Sequence, residues 1–291
     1  MIPAQFDYHS PGSLEEALSL LEQLGDEAKI LAGGHSLIPA MRFRLAMPEN
    51  LVDINGLTDL DYIREADGWL AIGALTRESA LEESQLVQDR YPLLADTAEV
   101  IADPLVRNLA TVGGNLAHAD PANDHPATML AYGAEIAVQG PGGARTILID
   151  EFFTGLFETS MAANEILTEI RIPEPGAGSG GAYLKVERKV GDYAISAAAV
   201  QLTMDGDTCT GIRIGLTNVS PSPIRATEAE KVLTGQVLNE ELIEVAGQAA
   251  SDQSDPSPDL RGSVEYKRDL TRVVTKRAIA KAVERAKGAA S

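Results

Sequence analysis

The stretch Pro173-Glu174-Pro175-Gly176-Ala177-Gly178-Ser179-Gly180-Gly181 most limits what this chain can fold into. Its prolines exclude a helix interior and its glycines offer no side chain to bury, so it reads as a flexible linker. The hydrophobic pattern changes across it. Before it, short apolar runs interleave with helical stretches; after it, apolar residues alternate. A chain of 291 residues is long for one core and suits two units of ordinary size, which places a seam here, with one unit over 1–175 and a second over 176–291. The same stretch formally satisfies G-x-G-x-x-G. That fingerprint must follow a strand and open a helix, whereas here two prolines precede it and the strand-like Tyr183-Leu184-Lys185-Val186 follows.

Ser13-Leu14-Glu15-Glu16 fits a capping box, and Leu14, Ala17, Leu18 and Leu21 repeat at helical spacing until Gly25. Ala28 to Ala32, Leu51 to Ile54 and Trp69 to Gly73 read as strands. Helical stretches follow from Arg77 to Gln88 and from Pro92 to Ile101. Ala134 to Val138 and Ile166 to Ile172 are further strands. Beyond the seam, Val200, Leu202 and Met204 alternate up to Asp205-Gly206, and Ile212, Ile214 and Leu216 alternate after it, which predicts an antiparallel hairpin. From about Val264 the chain is helical and basic, with Leu270, Val274 and Ala278 on one face. The basic remainder reads as a solvated face in preference to a docking one.

Composition excludes several functions. At 44% hydrophobic and 23% charged the chain is globular, and no apolar run reaches bilayer length. Met1 to Asp7 lacks the basic and apolar regions of a secretory signal, so a cytoplasmic location is expected. One cysteine, Cys209, can form no internal disulfide and cannot supply the four thiolates of a [2Fe-2S] cluster. The four histidines, His9, His35, His118 and His125, show no ligand spacing, so no protein-bound metal is expected. A formal charge of -19 argues against nucleic acid. There is no phosphate-loop lysine motif.

Two glycine pairs carry the chemistry. Ala32-Gly33-Gly34-His35-Ser36 and Thr111-Val112-Gly113-Gly114-Asn115 each follow a short apolar segment. Without Cβ atoms, consecutive backbone N–H groups can close on phosphate oxygens. Ser36, Thr111 and Asn115 add side-chain donors. Either pair alone reads as a tight turn; together they read as contacts to the two phosphates of a dinucleotide. Lys185-Val186-Glu187-Arg188-Lys189-Val190-Gly191-Asp192-Tyr193 sets basic residues before an aromatic one. It reads equally as a phosphate-neutralising, ring-covering segment or as a strand edge with a core tyrosine. Asp120 and Asp124 follow the second pair, where a carboxylate either meets ribose hydroxyls or caps the helix at Pro126 to Ala131.

These segments resemble the flavoprotein subunits of the xanthine dehydrogenase and carbon monoxide dehydrogenase group, over essentially the whole chain. Ile2-Pro3, Phe6 to His9, Ala32 to Pro39 and Ile214 to Val219 look most like the medium subunits of aerobic carbon monoxide dehydrogenases. The resemblance implies an α+β fold: an FAD-binding domain of the vanillyl-alcohol-oxidase type over 1–175, in two parts divided near residue 55. A smaller C-terminal domain of antiparallel sheet and helices would fill 176–291. It implies non-covalent FAD, with Ala32, Gly33, Gly34, His35, Ser36 and Leu37 and then Thr111, Val112, Gly113, Gly114 and Asn115 at the pyrophosphate. Asp124 would lie on the ribose side, Ile101 and Leu167 would pack on the cofactor, Lys185 would lie near the flavin and Tyr193 would shield its ring. No residue of this chain is implied to be catalytic. The molybdenum cofactor and [2Fe-2S] clusters would sit on a large and a small partner subunit, in a dimer of heterotrimers with at most peripheral contact with the inner membrane face. Three alternatives stand beside carbon monoxide as substrate. They are a sister hydroxylase acting on xanthine, an aldehyde or an N-heterocycle; a self-contained flavin oxidase with FAD joined to His35; and a non-redox nucleotide-binding module.

Overall fold

The computed structural model describes residues 2–289; Met1, where the leader reading begins, lies outside them. The chain opens with β1 (Asp7–His9), α1 (Leu14–Leu24), β2 (Ala28–Leu31), α2 (Leu37–Arg42) and β3 (Asn50–Asp53). The Ser13 hydroxyl accepts from Glu16 N at 3.2 Å as a capping box requires, while the Glu16 carboxylate reaches back to Gly12 N at 2.7 Å, one residue before the N-cap amide. Gly25, at φ +57°, ends α1. The three strands form a parallel sheet in the order β1-β3-β2, with Ala17, Leu21, Val52 and Ile54 buried beneath α1.

A second sheet follows. Its first strands are β4 (Ile63–Ala66) and β5 (Trp69–Gly73), after which come α3 (Glu78–Glu83), α4 (Gln85–Arg90), α5 (Pro92–Val100), α6 (Pro104–Arg107), α7 (Val112–His118) and α8 (Asp124–Tyr132). The single helix expected from Arg77 to Gln88 is two, because Ser84 leaves helical geometry and caps α4 through Val87 N. The sheet is completed by β6 (Glu135–Gly140) and β7 (Gly143–Leu148). After α9 (Ile149–Phe152) and the small hairpin β8 (Phe153–Gly155) and β9 (Glu158–Thr159), β10 (Ile166–Pro173) inserts between β5 and β6. The order is β4-β5-β10-β6-β7, antiparallel throughout.

The third sheet holds β11 (Ser179–Glu187), β12 (Ala194–Asp205), β13 (Thr208–Thr217) and β14 (Ile224–Arg225), again antiparallel. The expected hairpin is β12 and β13. Helices α10 (Thr227–Leu233), α11 (Glu240–Gln253) and α12 (Val264–Ala289) cover one face. The expected flexible linker is only partly one. Ser179, Gly180 and Gly181 belong to β11, and a Cβ on Gly180 would stand 2.1 Å from the Ala282 carbonyl oxygen of α12. These glycines permit close packing. The basic side of α12 is not a solvated face either. Lys281 and Arg285 bind Asp96 on α5, Arg272 and Lys276 bind Glu244 on α11, and Lys267, 3% exposed in its side chain, binds Asp259.

Helix α8 links the sheets. All nine of its residues are buried, and Gly215 on β13 lets the Ala127 carbonyl approach so closely that a Cβ would stand 2.0 Å from it. Among the described residues no helix is long and apolar enough to cross a membrane.

Candidate cofactor site

The two glycine segments meet. A Cβ on Gly33 would lie 2.4 Å from Leu109 O and 2.7 Å from Ala110 Cα, so only glycine lets the first loop rest on the backbone leading into the second. Side chains fasten the joint. Asn55 Nδ2 donates to Ala32 O at 2.5 Å, Arg77 donates to Asn55 Oδ1 at 2.9 Å and to Leu109 O at 2.5 Å, and Asp53 Oδ2 accepts from Tyr8 at 2.6 Å. Asp53 Oδ1 in turn accepts from Asn55.

The two loops differ in what they leave free. In the first, Gly34 adopts φ +75° and its carbonyl accepts from Ile38 N, while His35 Nδ1 lies 2.9 Å from Gly33 O. The N–H groups of Gly33, Gly34, His35, Ser36 and Leu37 have no acceptor among the described residues. In the second, the glycine pair is the first turn of α7, and its N–H groups are used. Gly113 N donates to Ala74 O at 3.0 Å, Gly114 N to Thr111 Oγ1 at 3.2 Å, and Asn115 N to Thr111 O at 3.0 Å. Consecutive free amides are therefore present in the first loop and not in the second, where Gly113 serves a close approach to Ala74 and Gly114 leaves room for Thr111 Oγ1. What the second loop leaves open is a side chain: Asn115 Oδ1 is buried with no partner among the described residues.

A third group of residues gathers at the start of α8. Asp124 is its first residue and Asn123 its N-cap, so Asp124 is not the cap that its position suggested. Its carboxylate accepts from Tyr183 Oη at 2.6 Å and Lys185 Nζ at 2.9 Å. Tyr183 and Lys185 alternate on β11 and so share a face. Burial pushes the Asp124 carboxyl above the usual carboxylate range, opposed by the Lys185 ammonium. Lys185 also donates to Val100 O at 3.0 Å, beside Ile101. Gly191, at φ +78°, lies so close to Ala102 O that a Cβ would stand 2.6 Å from it. Ile101, Lys185 and Tyr193 thus belong to one neighbourhood. Tyr193 is 43% exposed with the Arg261 guanidinium 5.8 Å from its ring centre; burial, then Asp120 and Asp124, raise its hydroxyl pKa. Leu167 stands apart from this group, buried on β10 in the core that holds Val112 and Leu116.

Comparison with known proteins decides the family. Residues 4–175 match the FAD binding domain in molybdopterin dehydrogenase, and residues 181–282 match the CO dehydrogenase flavoprotein C-terminal domain. The chain belongs to the molybdopterin dehydrogenase flavoprotein family. This flavoprotein is 46% identical over 279 residues to the carbon monoxide dehydrogenase medium chain of Hydrogenophaga pseudoflava, covering 96% of this chain and 97% of that one. It is 40% identical to the 6-hydroxypseudooxynicotine dehydrogenase complex subunit alpha of Paenarthrobacter nicotinovorans, covering 99% and 97%. The solved carbon monoxide dehydrogenase from Hydrogenophaga pseudoflava that lacks the Mo-pyranopterin moiety superimposes with a TM-score of 0.96 at 47% identity, covering 98% and 99%.

The residues of this flavoprotein fit FAD. A run of unpaired main-chain donors suits an anion, and an unsatisfied buried amide oxygen on Asn115 awaits a donor. Asn55, Arg77 and Tyr183, which join these parts, are not among the site residues that the sequence suggested. Only Tyr183 carried a usable sign there, its two-residue spacing from Lys185.

Proposed function

We propose that this chain is the FAD-binding, electron-transferring subunit of a three-subunit molybdenum hydroxylase of the aerobic carbon monoxide dehydrogenase type. The carrying observation is the run of free N–H groups from Gly33 to Leu37, held against residues 109–111, in a chain of charge -19. Main-chain dipoles receive a pyrophosphate there without a basic side chain. Ala32 to Leu37 and Thr111 to Asn115 would hold that part of the cofactor, Asp124 would lie on the ribose side, Ile101 and Leu167 would pack on the cofactor, and Lys185 and Tyr193 would lie on the flavin side. In this division residues 1–175 bind the cofactor, and residues 176–291 bring Lys185 and Tyr193 to it.

Bound FAD supplies a two-electron acceptor that passes electrons onward to a quinone or another acceptor. The protein's part is to hold, orient and cover it. In the reaction CO + H2O → CO2 + 2 H⁺ + 2 e⁻, the metal chemistry belongs to the large molybdenum subunit and the small [2Fe-2S] subunit. One cysteine here cannot replace the latter's thiolates. The assembly is a dimer of heterotrimers, cytoplasmic and at most peripheral to the membrane. Carbon monoxide is preferred to a purine, an aldehyde or an N-heterocycle on the strength of the likeness to the medium chain. The test is anaerobic mixing of CO with the reconstituted three-subunit complex while following flavin absorbance. Bleaching by CO is expected; bleaching only by another substrate class would reassign the complex to a sister hydroxylase.

A further inference from the structure

We propose that Arg261 is a positioning residue for the flavin cover: through Asp192 it fixes the segment that carries Tyr193, so that the connection between α11 and α12 sets how the cofactor ring is shielded. The inference rests on the function proposed above, in which Tyr193 lies on the flavin side. One carboxylate oxygen makes the link. Asp192 Oδ1 accepts from the Tyr193 amide at 2.9 Å and from Arg261 Nη2 at 2.8 Å. The same guanidinium stands 5.8 Å from the Tyr193 ring centre, within reach of a cation–π contact. The main chain that bears the ring and the ring itself are thus both referred to a side chain 69 residues beyond Asp192. Little water competes for the bond, since the Asp192 side chain is 9% exposed and that of Arg261 26%. The Arg261 guanidinium holds the Asp192 carboxyl below the usual carboxylate range, against the opposing effect of burial.

Arg261 is itself firmly based. Asp259 Oδ1 accepts from the Arg261 and Gly262 amides at 2.7 and 3.1 Å, and Asp259 Oδ2 accepts from Lys267 Nζ at 2.8 Å. Lys267, buried at the start of α12, also donates to Ser257 O at 3.0 Å, so the turn is tied on both sides of Asp259. The Arg261 side chain, by contrast, serves the Tyr193 segment alone. It has no hydrogen-bond partner besides Asp192 among the described residues, and its Nε is buried without one. An arginine that braces the fold joins several groups, as Arg107 does with Glu82, Ile101 O and Ala102 O. Arg188 also approaches Asp192, but at 3.4 Å and with its own side chain 62% exposed, which makes Arg261 the firmer tie. The close approach of Gly191 to Ala102 fixes where the segment lies, and Arg261 fixes the two residues that follow.

The test compares wild type with Arg261→Ala, Arg261→Lys, Tyr193→Ala and Arg261→Ala/Tyr193→Ala. In the full chain, hydrogen exchange across residues 188–193 should quicken about tenfold in Arg261→Ala, the size expected for one charge-assisted bond, while exchange in β12 stays at the wild-type rate. Arg261→Lys, which keeps the charge, should recover part of the protection. In the assembled complex, Arg261→Ala should move the flavin absorption spectrum and the rate at which dioxygen reoxidises the reduced flavin in the same direction as Tyr193→Ala. The double variant should go no further than Tyr193→Ala alone, because Arg261 acts through that ring. Additive effects in the double variant overturn the proposal, as does unchanged exchange over 188–193 or faster exchange spread equally through β12. If Tyr193→Ala itself leaves both flavin readouts unchanged, the reading of Tyr193 as a cover fails and the proposal with it; if Tyr193→Ala moves them and Arg261→Ala does not, only the role of Arg261 fails.

Discussion

Lys185 and Asp124 form a charge pair whose side chains are 2% and 8% exposed, under conditions where removing one partner strands the other. Lys185→Met should cost about 3–5 kcal/mol, the usual range for breaking a buried pair. Its pH dependence follows from the direction of the Asp124 shift. Burial already holds this carboxyl above its ordinary range, and losing the ammonium raises it further. In the window between the unfolded value and that raised one, the folded chain binds the extra proton, so stability falls as pH rises through it. The Lys185→Met penalty should therefore be largest at neutral pH and shrink on acidification, and Lys185→Met/Asp124→Asn should recover much of it. Thermal melts at pH 5 and pH 8 check this. Equal penalties at both pH values would mean that the lost alkyl packing of Lys185, and not the stranded charge, sets the cost.

At the scale of elements, α12 is held to β11 by a contact that only glycine allows. Gly180→Ala would put a methyl 2.1 Å from Ala282 O and 2.6 Å from Ala286 N, both main-chain atoms that cannot swing away. Overpacking of this kind costs about 1–3 kcal/mol. The melting temperature should drop, and hydrogen exchange should quicken along α12 before it does in the five-stranded sheet; uniform exchange in both would show that the helix is not separately displaced. The same glycine explains a misreading. Glycine-rich sequence signals missing side chains, a property shared by a flexible tether and by a strand pressed against a helix, and only the distant Ala282 decides between them. Elements written in local pattern were legible: Ser13 and Glu16 announce α1, and the two alternating runs announce β12 and β13. The break at Ser84 and the acidic partners of α12 were not, because Asp96 and Glu244 lie far away in sequence. In the candidate site, the glycine pairs could be found, but their unequal use could not. The acceptors that consume the Gly113 and Gly114 amides include Ala74, which belongs to another strand end.

Across the whole molecule, the proposed site is assembled from segments around residues 33, 111, 124 and 185, the first resting on the backbone that leads into the second and the last paired with Asp124 at the start of α8. Such a site needs no covalent tether to the cofactor. Acid or heat denaturation of the assembled complex, followed by filtration, should release the yellow colour into the filtrate. Colour retained on this chain would instead indicate attachment at His35, whose ring is held near Gly33 O.

Five consecutive main-chain amides, from Gly33 to Leu37, are the donors on which capture is proposed to depend. An amide is not encoded by any one codon. Replacing His35 or Ser36 leaves its N–H in place, so most base changes in this segment alter a side chain without deleting a donor. The mutational target for losing the cofactor is thereby small. It is concentrated at Gly33, where any Cβ collides with Leu109 O, at Gly34, where φ is +75°, and at changes to proline, which alone remove an N–H. Lineages can then drift in the loop's side chains, and hence in what surrounds the pyrophosphate, while keeping the flavin.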